Sequence, residues 1–309
     1  MTETPEFELA IIGGGFTGLT AGLIAARAGL NVKLFDRMGP GGQLINIDRV
    51  DNYPGLPTGI AGYELGPAAL EQALDAGVKI DYGEIDGLTF DGEHWQLITN
   101  TGVVTAYAVI VATGSELAKL GLDGEEELHG SGISYCATCD AEFFRDQDIM
   151  VVGGGDSGLD EVLVLAPVVR SITLVTRGEL DGAATTVNAV RALENVTIHC
   201  NTTLTELHGT AQLEGVSVIH RENGETAHLK VSGLFIYVGL NANTSLLEGL
   251  IPLDTAGHAQ VDIMMATEQP GLFVAGDLRA GSVRLLASCA GDGATAAVAA
   301  ERYIRSTLG

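Results

Sequence analysis

The sequence is poor in basic residues and cysteines, and each shortage excludes a class of protein. Only 16 lysines and arginines oppose 40 acidic residues, a net charge of −24, which argues against nucleic acid or an anionic membrane as partner. Four cysteines in 309 residues are too few for a secreted disulfide framework. The chain also lacks an apolar run of about 18 residues, and its acidic start, Met1 to Phe7, does not resemble a signal peptide. We therefore expect a cytoplasmic protein without a membrane span.

The remaining composition predicts a globular α/β enzyme. Hydrophobic residues make up 46% of the chain and glycine contributes 42 residues, whereas aromatic residues make up only 5%. This combination is typical of buried strands joined by many tight turns. A length of 309 residues exceeds one nucleotide-binding unit and predicts two domains, each with its own core.

The first strong motif is a glycine-rich turn between a predicted strand and a predicted helix. The strand Phe7 to Ile12 leads into Gly13-Gly14-Gly15-Phe16-Thr17-Gly18, and we expect a helix over Leu19 to Ala28. Glycine at these positions allows a tight turn and lets backbone amides approach a pyrophosphate. Asp36 ends the next predicted strand, where an acid can accept a hydrogen bond from a ribose hydroxyl. The motif predicts a dinucleotide site.

A second turn of the same kind occurs near the middle of the chain. The predicted strand Ile149 to Val152 is followed by Gly153-Gly154-Gly155-Asp156-Ser157-Gly158 and a predicted helix over Leu159 to Ala166. This repeats the plan of the first unit. The sequence therefore predicts two Rossmann-like nucleotide-binding domains, the second inserted into the first. We place the first domain at 1–116 and 245–309, and the second at 117–244.

Loops and short strands are predicted around these two motifs. The segment from Gly41 to Gly55 is too rich in glycine and proline for a helix, and long loops of this kind often cover a ligand. Helices are expected over Leu65 to Ala76 and Ala294 to Ile304. A predicted C-terminal strand ends in Gly276-Asp277. Separate strands are expected at Lys79 to Tyr82, Gly87 to Phe90, Trp95 to Thr99, Val103 to Ala106 and Val109 to Val111.

Two of the four cysteines stand close together in Cys136-Ala137-Thr138-Cys139, followed by Asp140. Such a pair can close into a disulfide that exchanges electrons readily, because its thiolates are stabilised at a helix start or beside a charge. A zinc half-site and a structural staple are the alternatives. Zinc needs about four ligands, and Cys200, Cys289 and His199 are the further candidates. The dinucleotide-binding context favours a redox dithiol, and we predict no metal site.

In this order, the motifs resemble the low-molecular-weight thioredoxin reductase family of flavoprotein disulfide reductases, and the resemblance covers nearly the whole chain. It implies FAD as cofactor and a homodimer as the usual assembly. The residues that would hold FAD are Gly13, Gly15, Gly18, Asp36, Gly42, Gln43, Leu44, Asn52, Ala112, Thr113, Gly114, Gly276 and Asp277.

The resemblance also implies roles around the dithiol. Cys139 would face the flavin and take its electrons, and Cys136 would attack the disulfide of a protein substrate such as thioredoxin. Asp140 would donate and accept the proton. On residue type alone, a helix-capping role explains Asp140 about as well.

The second glycine turn departs from the family pattern. NADPH-dependent members carry a His-Arg-Arg-x-x-x-Arg cluster, whose arginines clamp the 2′-phosphate. The corresponding segment here runs from Thr176 to Gly182 and keeps Arg177, with glycine at the other two arginine positions. An NAD site would want an acid where Thr176 stands. The residues of a second nucleotide site would be Gly153, Gly155, Gly158 and Arg177. This set does not match the pattern expected for NADPH or the pattern expected for NAD.

Three functions follow from these observations. The first is an FAD-dependent reductase that passes electrons from NADPH to thioredoxin or a similar protein disulfide. The second resembles the family's pyridine-nucleotide-independent members, which take electrons from reduced ferredoxin or hold a second flavin. The third, from another class, is a non-catalytic flavin-binding redox sensor. The strongly acidic chain would need a local basic face to bind an acidic ferredoxin.

Overall fold

The computed structural model describes residues 4–47, 49–50 and 52–308. The chain folds into two compact units. Unit 1 comprises residues 1–116 and 241–309, and unit 2 comprises residues 117–240. The chain thus returns to unit 1 at Asn241, ahead of the return predicted at 245. Both units have the predicted Rossmann-like plan, with the second inserted into the first.

The N-terminal part of unit 1 alternates strands and helices before a run of strands. A five-residue 3₁₀ helix, Gly42–Asn46, lies between β2 and α2. The elements are β1 (Phe7–Ile12), α1 (Phe16–Arg27), β2 (Val32–Asp36), α2 (Gly62–Asp75), β3 (Lys79–Tyr82), β4 (Ile85–Phe90), β5 (Trp95–Thr99), β6 (Gly102–Val111) and β7 (Ser115–Leu117).

Unit 2 has the same alternation, followed by antiparallel strands. Its elements are β8 (Ile133–Ser134), α3 (Ala137–Asp140), β9 (Asp148–Val152), α4 (Asp156–Leu165), β10 (Ser171–Val175), α5 (Ala184–Arg191), β11 (Val196–His199), β12 (Thr202–His208), β13 (Gly215–His220), β14 (Thr226–Leu229) and β15 (Gly233–Ile236). The next strand, β16 (Leu240–Ala242), begins at the last residue of unit 2 and ends in unit 1. After β16 the chain continues in unit 1 with β17 (Leu272–Val274) and α6 (Leu286–Leu308).

The sheet of unit 1 is mixed. Its path is β3-β2-β1-β6-β5-β4, and β17 also pairs with β6. The pairs β2/β3, β1/β2, β1/β6 and β6/β17 are parallel, whereas β4, β5 and β6 form an antiparallel meander. Two apolar clusters make up the core, one of them including residues of α1 and α6 and the other including Trp95 of the meander. The parallel strands end together, which gives the sheet one carboxyl edge.

Unit 2 contains a parallel sheet of five strands in the order β11-β10-β9-β15-β8. A separate antiparallel sheet is formed by β12, β13 and β14. The strands β9, β10 and β15 are almost wholly buried, as expected for parallel strands covered on both faces. Among the described residues, no helix of either unit is long and apolar enough to cross a membrane.

Several element boundaries differ from those that the sequence predicts. Helix α1 begins at Phe16 rather than Leu19, because its first turn includes the end of the glycine motif. The two strands predicted within 103–111 are one strand, β6, which pairs with β5 near its start and with β17 near its end. The loop after β2 contains a 3₁₀ helix despite its glycines. Helix α6 begins at Leu286 rather than Ala294.

Candidate redox site and nucleotide-binding turns

The glycine turn of unit 1 lies at the carboxyl end of β1. Gly13 has a φ of 106°, and a Cβ at this position would lie 2.3 Å from the backbone oxygen of Ala112. A Cβ on Gly18 would lie 1.9 Å from the oxygen of Gly13. Gly15, by contrast, faces open space, and among the described residues no side chain caps α1 there. The amides in the first turn of α1 therefore suit a pyrophosphate such as that of FAD.

Asp36 connects the glycine turn with the loop that follows β2. Its Oδ2 accepts a hydrogen bond from the amide of Gly14 at 2.7 Å. Its Oδ1 accepts from the amides of Met38 and Gly39, at 3.0 and 2.7 Å. A carboxylate has about four acceptor positions, so capacity for a ribose hydroxyl remains. The sequence did not indicate that Asp36 also fixes the backbone around it.

Two more of the predicted segments reach the same edge of the sheet. Ala112-Thr113-Gly114 follows β6, and Gly276-Asp277 follows β17. The first contacts the glycine turn through Ala112 and Gly13, whereas a Cβ on Gly276 would lie 2.6 Å from Oγ1 of Thr17. Ligands of open α/β sheets bind outside the carboxyl ends of the strands. The structure therefore gathers these predicted FAD residues at one such edge.

The residues predicted from the loop after β2 are placed differently from one another. A Cβ on Gly42 would lie 3.0 Å from the Cα of Gly15, so the loop starts against the glycine turn. Gln43 donates a hydrogen bond to the first residue of β7. Leu44 is buried, whereas Asn52 is exposed. The beginning of the loop therefore lies at the proposed FAD site. No contact described for Asn52 places it against the glycine turn.

The predicted cysteine pair is a disulfide in this structure. Cys136 and Cys139 are joined with their Cα atoms 5.4 Å apart. Cys136 is the residue that precedes α3, and its Sγ accepts a hydrogen bond from the amide of Cys139 at 3.2 Å. The side chain of Cys139 is exposed and that of Cys136 is half-buried. A hydrogen-bond donor aimed at the Cys136 sulfur would stabilise its thiolate once the pair is reduced.

Asp140 lies at the end of α3, beside the dithiol. Its Oδ2 accepts a hydrogen bond from Oγ of Ser134 at 2.7 Å. The same Ser134 oxygen accepts from the amide of Cys136 at 3.0 Å. Asp140 is half-buried and does not cap α3 from its start, because Cys136 occupies that position. Its carboxylate is thus linked to the cysteine motif through Ser134, a residue that the sequence did not single out.

A further acidic residue lies near the dithiol and was missed in the sequence. Burial, and then the charge of Asp160, raise the pKa of Glu161 to about 7. Two groups interact with this carboxyl group: the hydroxyl of Tyr237, the residue after β15, and the amide of Ala137. Glu161 stands within an ordinary amphipathic pattern on α4, so the sequence offered no signal that its side chain would be directed toward α3.

The glycine turn of unit 2 repeats the backbone geometry of the first turn. Gly153 has a φ of 133°, and a Cβ there would lie 2.1 Å from the backbone oxygen of Tyr237. A Cβ on Gly158 would lie 2.3 Å from the oxygen of Gly153. The surroundings differ from those of the first turn. Gly155 forms a β-bridge with Asp181, from the loop after β10.

The charge around this second turn is unfavourable for a phosphate. Asp156 is the first residue of α4, and its Oδ1 accepts a hydrogen bond from the amide of Ala183 at 2.7 Å. Asp181 donates its amide to the oxygen of Gly154 at 2.7 Å, so a second carboxylate belongs to the same loop. An anionic side chain at a helix start competes for the position that a phosphate would use.

Arg177 is exposed, as expected for a phosphate ligand. The sequence predicted that no other arginine would lie near it, but the structure shows one. Arg221, from the turn after β13, donates from its Nη1 to the backbone oxygen of Arg177 at 2.8 Å. The fold therefore brings a second guanidinium to the end of β10. Their separation of 44 residues along the chain explains why motif spacing did not reveal Arg221.

The two remaining cysteines are free and half-buried. Burial, together with the charge of Asp277, raises the pKa of Cys289 to about 12, and its Sγ donates to Asp277 at 3.4 Å. Burial also raises the pKa of Cys200. Thiols held in the protonated form are poor nucleophiles. In the described part of the chain, no three histidine, cysteine or acidic residues cluster as a metal site would require.

Comparison with known proteins agrees with this geometry. The family model described as pyridine nucleotide-disulphide oxidoreductase matches residues 7–300. The thioredoxin reductase of Mycolicibacterium smegmatis is 38% identical over 305 residues, with 98% of each chain covered. That of Treponema pallidum is 37% identical over 301 residues, with 97% of each chain covered.

Solved structures give the same assignment. Thioredoxin reductase from Lactococcus lactis superimposes with a TM-score of 0.93 at 34% identity, covering 97% of this chain and 100% of the other. A ferredoxin-flavin thioredoxin reductase from Clostridium acetobutylicum gives a TM-score of 0.55 at 25% identity, with 98% of both chains covered. The chain therefore belongs to the pyridine nucleotide-disulphide oxidoreductase family, and within it to the low-molecular-weight thioredoxin reductases.

Proposed function

We propose that the protein is an FAD-dependent reductase of protein disulfides, with thioredoxin or a similar protein as substrate. The observation that carries this proposal is the Cys136–Cys139 disulfide at the start of α3, next to Asp140. The relatives at 37% and 38% identity are thioredoxin reductases, which supports the same activity here. FAD, when bound, would supply the electron pair that opens the disulfide.

The chain's own residues then carry out the thiol exchange. Cys136, with its sulfur facing the amide of Cys139, is the thiolate that attacks the substrate disulfide and forms a mixed disulfide. Cys139 attacks Cys136 in turn, which re-forms the internal disulfide and releases the reduced substrate. Asp140, held by Ser134, is the group that gives and takes the proton near these sulfurs.

We assign FAD to unit 1, residues 1–116 and 241–309. The support is the edge at which Gly13, Thr113 and Gly276 lie with the uncapped start of α1. Gly15 is the position to vary, because its Cβ would project into open space and therefore obstruct only a ligand. Gly15→Val is expected to fold and to lose FAD, measured as flavin absorbance per purified chain. Full flavin content in a folded variant contradicts the assignment.

The activity is tested by replacing single cysteines. Cys136→Ser should abolish thioredoxin reduction when the flavin is reduced chemically under anaerobic conditions and the new thiols of thioredoxin are counted. Cys200→Ser makes the same chemical change at a cysteine outside the dithiol and should leave the yield unchanged. If Cys136→Ser reduces thioredoxin as well as an active parent protein does, the role given to Cys136 is wrong. If the parent protein itself produces no new thiols in thioredoxin, the reductase proposal is wrong and a redox sensor becomes the better description.

A second candidate concerns the electron donor. The family's description names a pyridine nucleotide, and NADPH is the donor in the first of the functions inferred from the sequence. Two observations instead favour a pyridine-nucleotide-independent reductase. The carboxylates of Asp156 and Asp181 lie at the second glycine turn, and glycine occupies two of the three positions where arginines would clamp a 2′-phosphate. Such an enzyme would use reduced ferredoxin or a second flavin, and the ferredoxin-flavin thioredoxin reductase from Clostridium acetobutylicum has the same fold. Arg221 beside Arg177 is the observation that speaks for NADPH.

The donor is identified by bleaching of the flavin absorbance under anaerobic conditions. NADPH, NADH and chemically reduced ferredoxin are added separately to the oxidised protein. Rapid bleaching by NADPH at micromolar concentration excludes the second candidate. Bleaching by ferredoxin alone supports it, and more than one flavin per chain in the purified protein supports the form with a second flavin.

We also infer a cytoplasmic homodimer without nucleic acid or membrane partners. The net charge of −24 supports the absence of nucleic acid and membrane partners, and the few cysteines support the cytoplasm. The homodimer is inferred from membership of the family alone. Light scattering of the purified protein measures the assembly, and a mass near 32.0 kDa, that of one chain, contradicts the dimer.

A further inference from the structure

Glu161 lies behind the dithiol and has no part in the mechanism given above. Its Oε2 is fully buried and accepts no hydrogen bond from any described residue. The groups that interact with its carboxyl are the hydroxyl of Tyr237 and the amide of Ala137. All of these residues belong to unit 2.

The contact with Ala137 connects Glu161 to the reactive sulfur. The amide of Ala137 donates to the hydroxyl of Tyr237 at 2.9 Å, a buried hydrogen bond. Ala137 is the first residue of α3 and follows Cys136 directly. The amide that Cys136 needs at its own sulfur, that of Cys139, lies in the same short helix. A change of charge at Glu161 therefore acts at the start of α3, next to the sulfur that becomes a thiolate.

The other titratable groups around this network are acidic. Asp160, on the same helix, acts on Glu161, and Asp140, on α3, acts on Tyr237. Burial, followed by the charge of Glu161, raises the pKa of Tyr237, so its hydroxyl stays protonated throughout the neutral range. Glu161 is the member of the network whose raised pKa, about 7, makes its charge change there.

We propose that Glu161 is a positioning residue for the dithiol, whose carboxyl, by changing between neutral and charged forms, controls how much of Cys136 is thiolate as the pH rises. This inference rests on the proposed disulfide reductase function, because thiolate is the form that attacks the substrate. When the disulfide is reduced, two electrons break the S–S bond and two protons are taken up if both sulfurs become thiols. A Cys136 thiolate retains one proton fewer, and a neutral Glu161 removes a negative charge that would oppose it.

The expected effect is a difference between two pH ranges. Below pH 7 the Glu161 carboxyl is largely protonated, and the Cys136 thiolate is opposed by no charge from it. Above pH 7 the carboxylate and the thiolate repel each other, so the thiolate fraction rises less steeply with pH than a single ionisation requires. A neighbouring like charge shifts a pKa, and a shift of about half a unit is about a threefold change in thiolate.

The test is the rate of alkylation of the fully reduced protein. The complete chain is reduced with excess dithiothreitol and desalted without oxygen. Iodoacetamide is then added at pH values from 5.5 to 9, and mass spectrometry measures modification at Cys136 separately from the other cysteines. Glu161→Gln keeps the side-chain shape and stays neutral at every pH. Glu142→Gln is the matched control, since Glu142 is also close to the dithiol in sequence but is exposed and paired with Arg145.

Two results support the proposal together. The parent protein should show a rate that departs from one ionisation near pH 7, and Glu161→Gln should follow one ionisation, with a rate at pH 8 about threefold higher or more. Glu142→Gln should match the parent. A parent profile that fits a single ionisation overturns the proposal even if Glu161→Gln does not fold. So does a folded Glu161→Gln protein with the parent profile.

The alkylation rate distinguishes this proposal from the function on which it rests. It requires neither a nucleotide donor nor thioredoxin, so a protein that fails to reduce thioredoxin still reports on the coupling. A single-ionisation profile in a protein that does reduce thioredoxin rejects the role of Glu161 alone.

Discussion

Gly13 follows β1 and Gly153 follows β9, and both have a similar backbone conformation. The two turns differ in the residues that come after these glycines. Each has a positive φ, and a Cβ on either would strike the backbone of the strand alongside. The helix after the first turn starts with Phe16, but the helix after the second starts with Asp156. The backbone geometry is therefore common to both units, whereas the charge offered to a phosphate differs.

Glu161 also gives a prediction for stability at the residue scale. The pKa of Glu161 in the folded protein, about 7, lies above the ordinary value of 4.5 because of burial and then Asp160. Its contribution to stability is therefore complete below pH 4.5 and is lost as the pH rises through 7. Relative to the parent, Glu161→Gln should gain about 1–2 kcal/mol of unfolding free energy between pH 5 and pH 8, a value discounted for partial solvent screening. Urea unfolding at both pH values measures it.

The comparison is valid only if the two proteins expose similar surface on unfolding, which equal urea m-values would establish. An unfolding free energy that changes equally with pH in both proteins contradicts the prediction.

At the element scale, α1 and α6 pack closely because small residues meet between them. A Cβ on Gly293 of α6 would lie 2.3 Å from the backbone oxygen of Thr17 and 3.3 Å from the amide nitrogen of Ala21. Both helices contribute to the same core cluster of unit 1. The close approach also holds Thr17 against Gly276, so the packing of these helices helps to shape the proposed FAD edge.

Two glycines of α6 provide a matched pair of substitutions. Gly293→Ala should lower the unfolding free energy by about 1–3 kcal/mol, because the added methyl group overlaps the backbone of α1. Gly291→Ala, on the same helix, meets no atom within 4 Å and should raise the unfolding free energy by about 0.5–1 kcal/mol through helix propensity. Urea unfolding followed by circular dichroism measures both. Equal effects of the two substitutions would show that the contact with α1 does not control the packing.

At the scale of the whole molecule, the dominant property is the excess of acidic groups. A formal charge of −24 destabilises the compact state by self-repulsion. The ion pairs of the described residues are mostly exposed, as for Lys119 with Glu126 and Arg170 with Asp148, and such pairs contribute little each. Arg279 and Asp292 form a more buried pair, with Nε and Oδ2 2.6 Å apart.

Salt should therefore stabilise the protein. The thermal midpoint is expected to rise by several degrees when KCl increases from about 10 mM to about 1 M. Added salt shortens the Debye length, so the repulsion between acidic groups weakens. Scanning calorimetry measures the midpoint, with sucrose of equal osmolality as the control for effects unrelated to charge. A midpoint that falls or stays constant with KCl contradicts this explanation.

The fold was largely predictable because strands, turns and helices follow local rules. Buried apolar runs before Gly13 and Gly153 marked the first strand of each unit, and the positive φ of both glycines matches the tight turn inferred from sequence. Boundaries were less predictable. Helix α6 extends well beyond the predicted Ala294 toward the N-terminus, because packing on α1 stabilises residues such as Gly293 that have low helix propensity.

The amino-acid sequence by itself determined the α/β plan, the repeated glycine turns and the presence of a redox cysteine pair, since each depends on residues close together in the chain. Only the tertiary structure decided which distant side chains meet: Glu161 and Tyr237 behind Ala137, and Arg221 beside Arg177. The physical reason is that burial and the approach of charges from separate elements change a side chain's chemistry, and neither is encoded in local spacing.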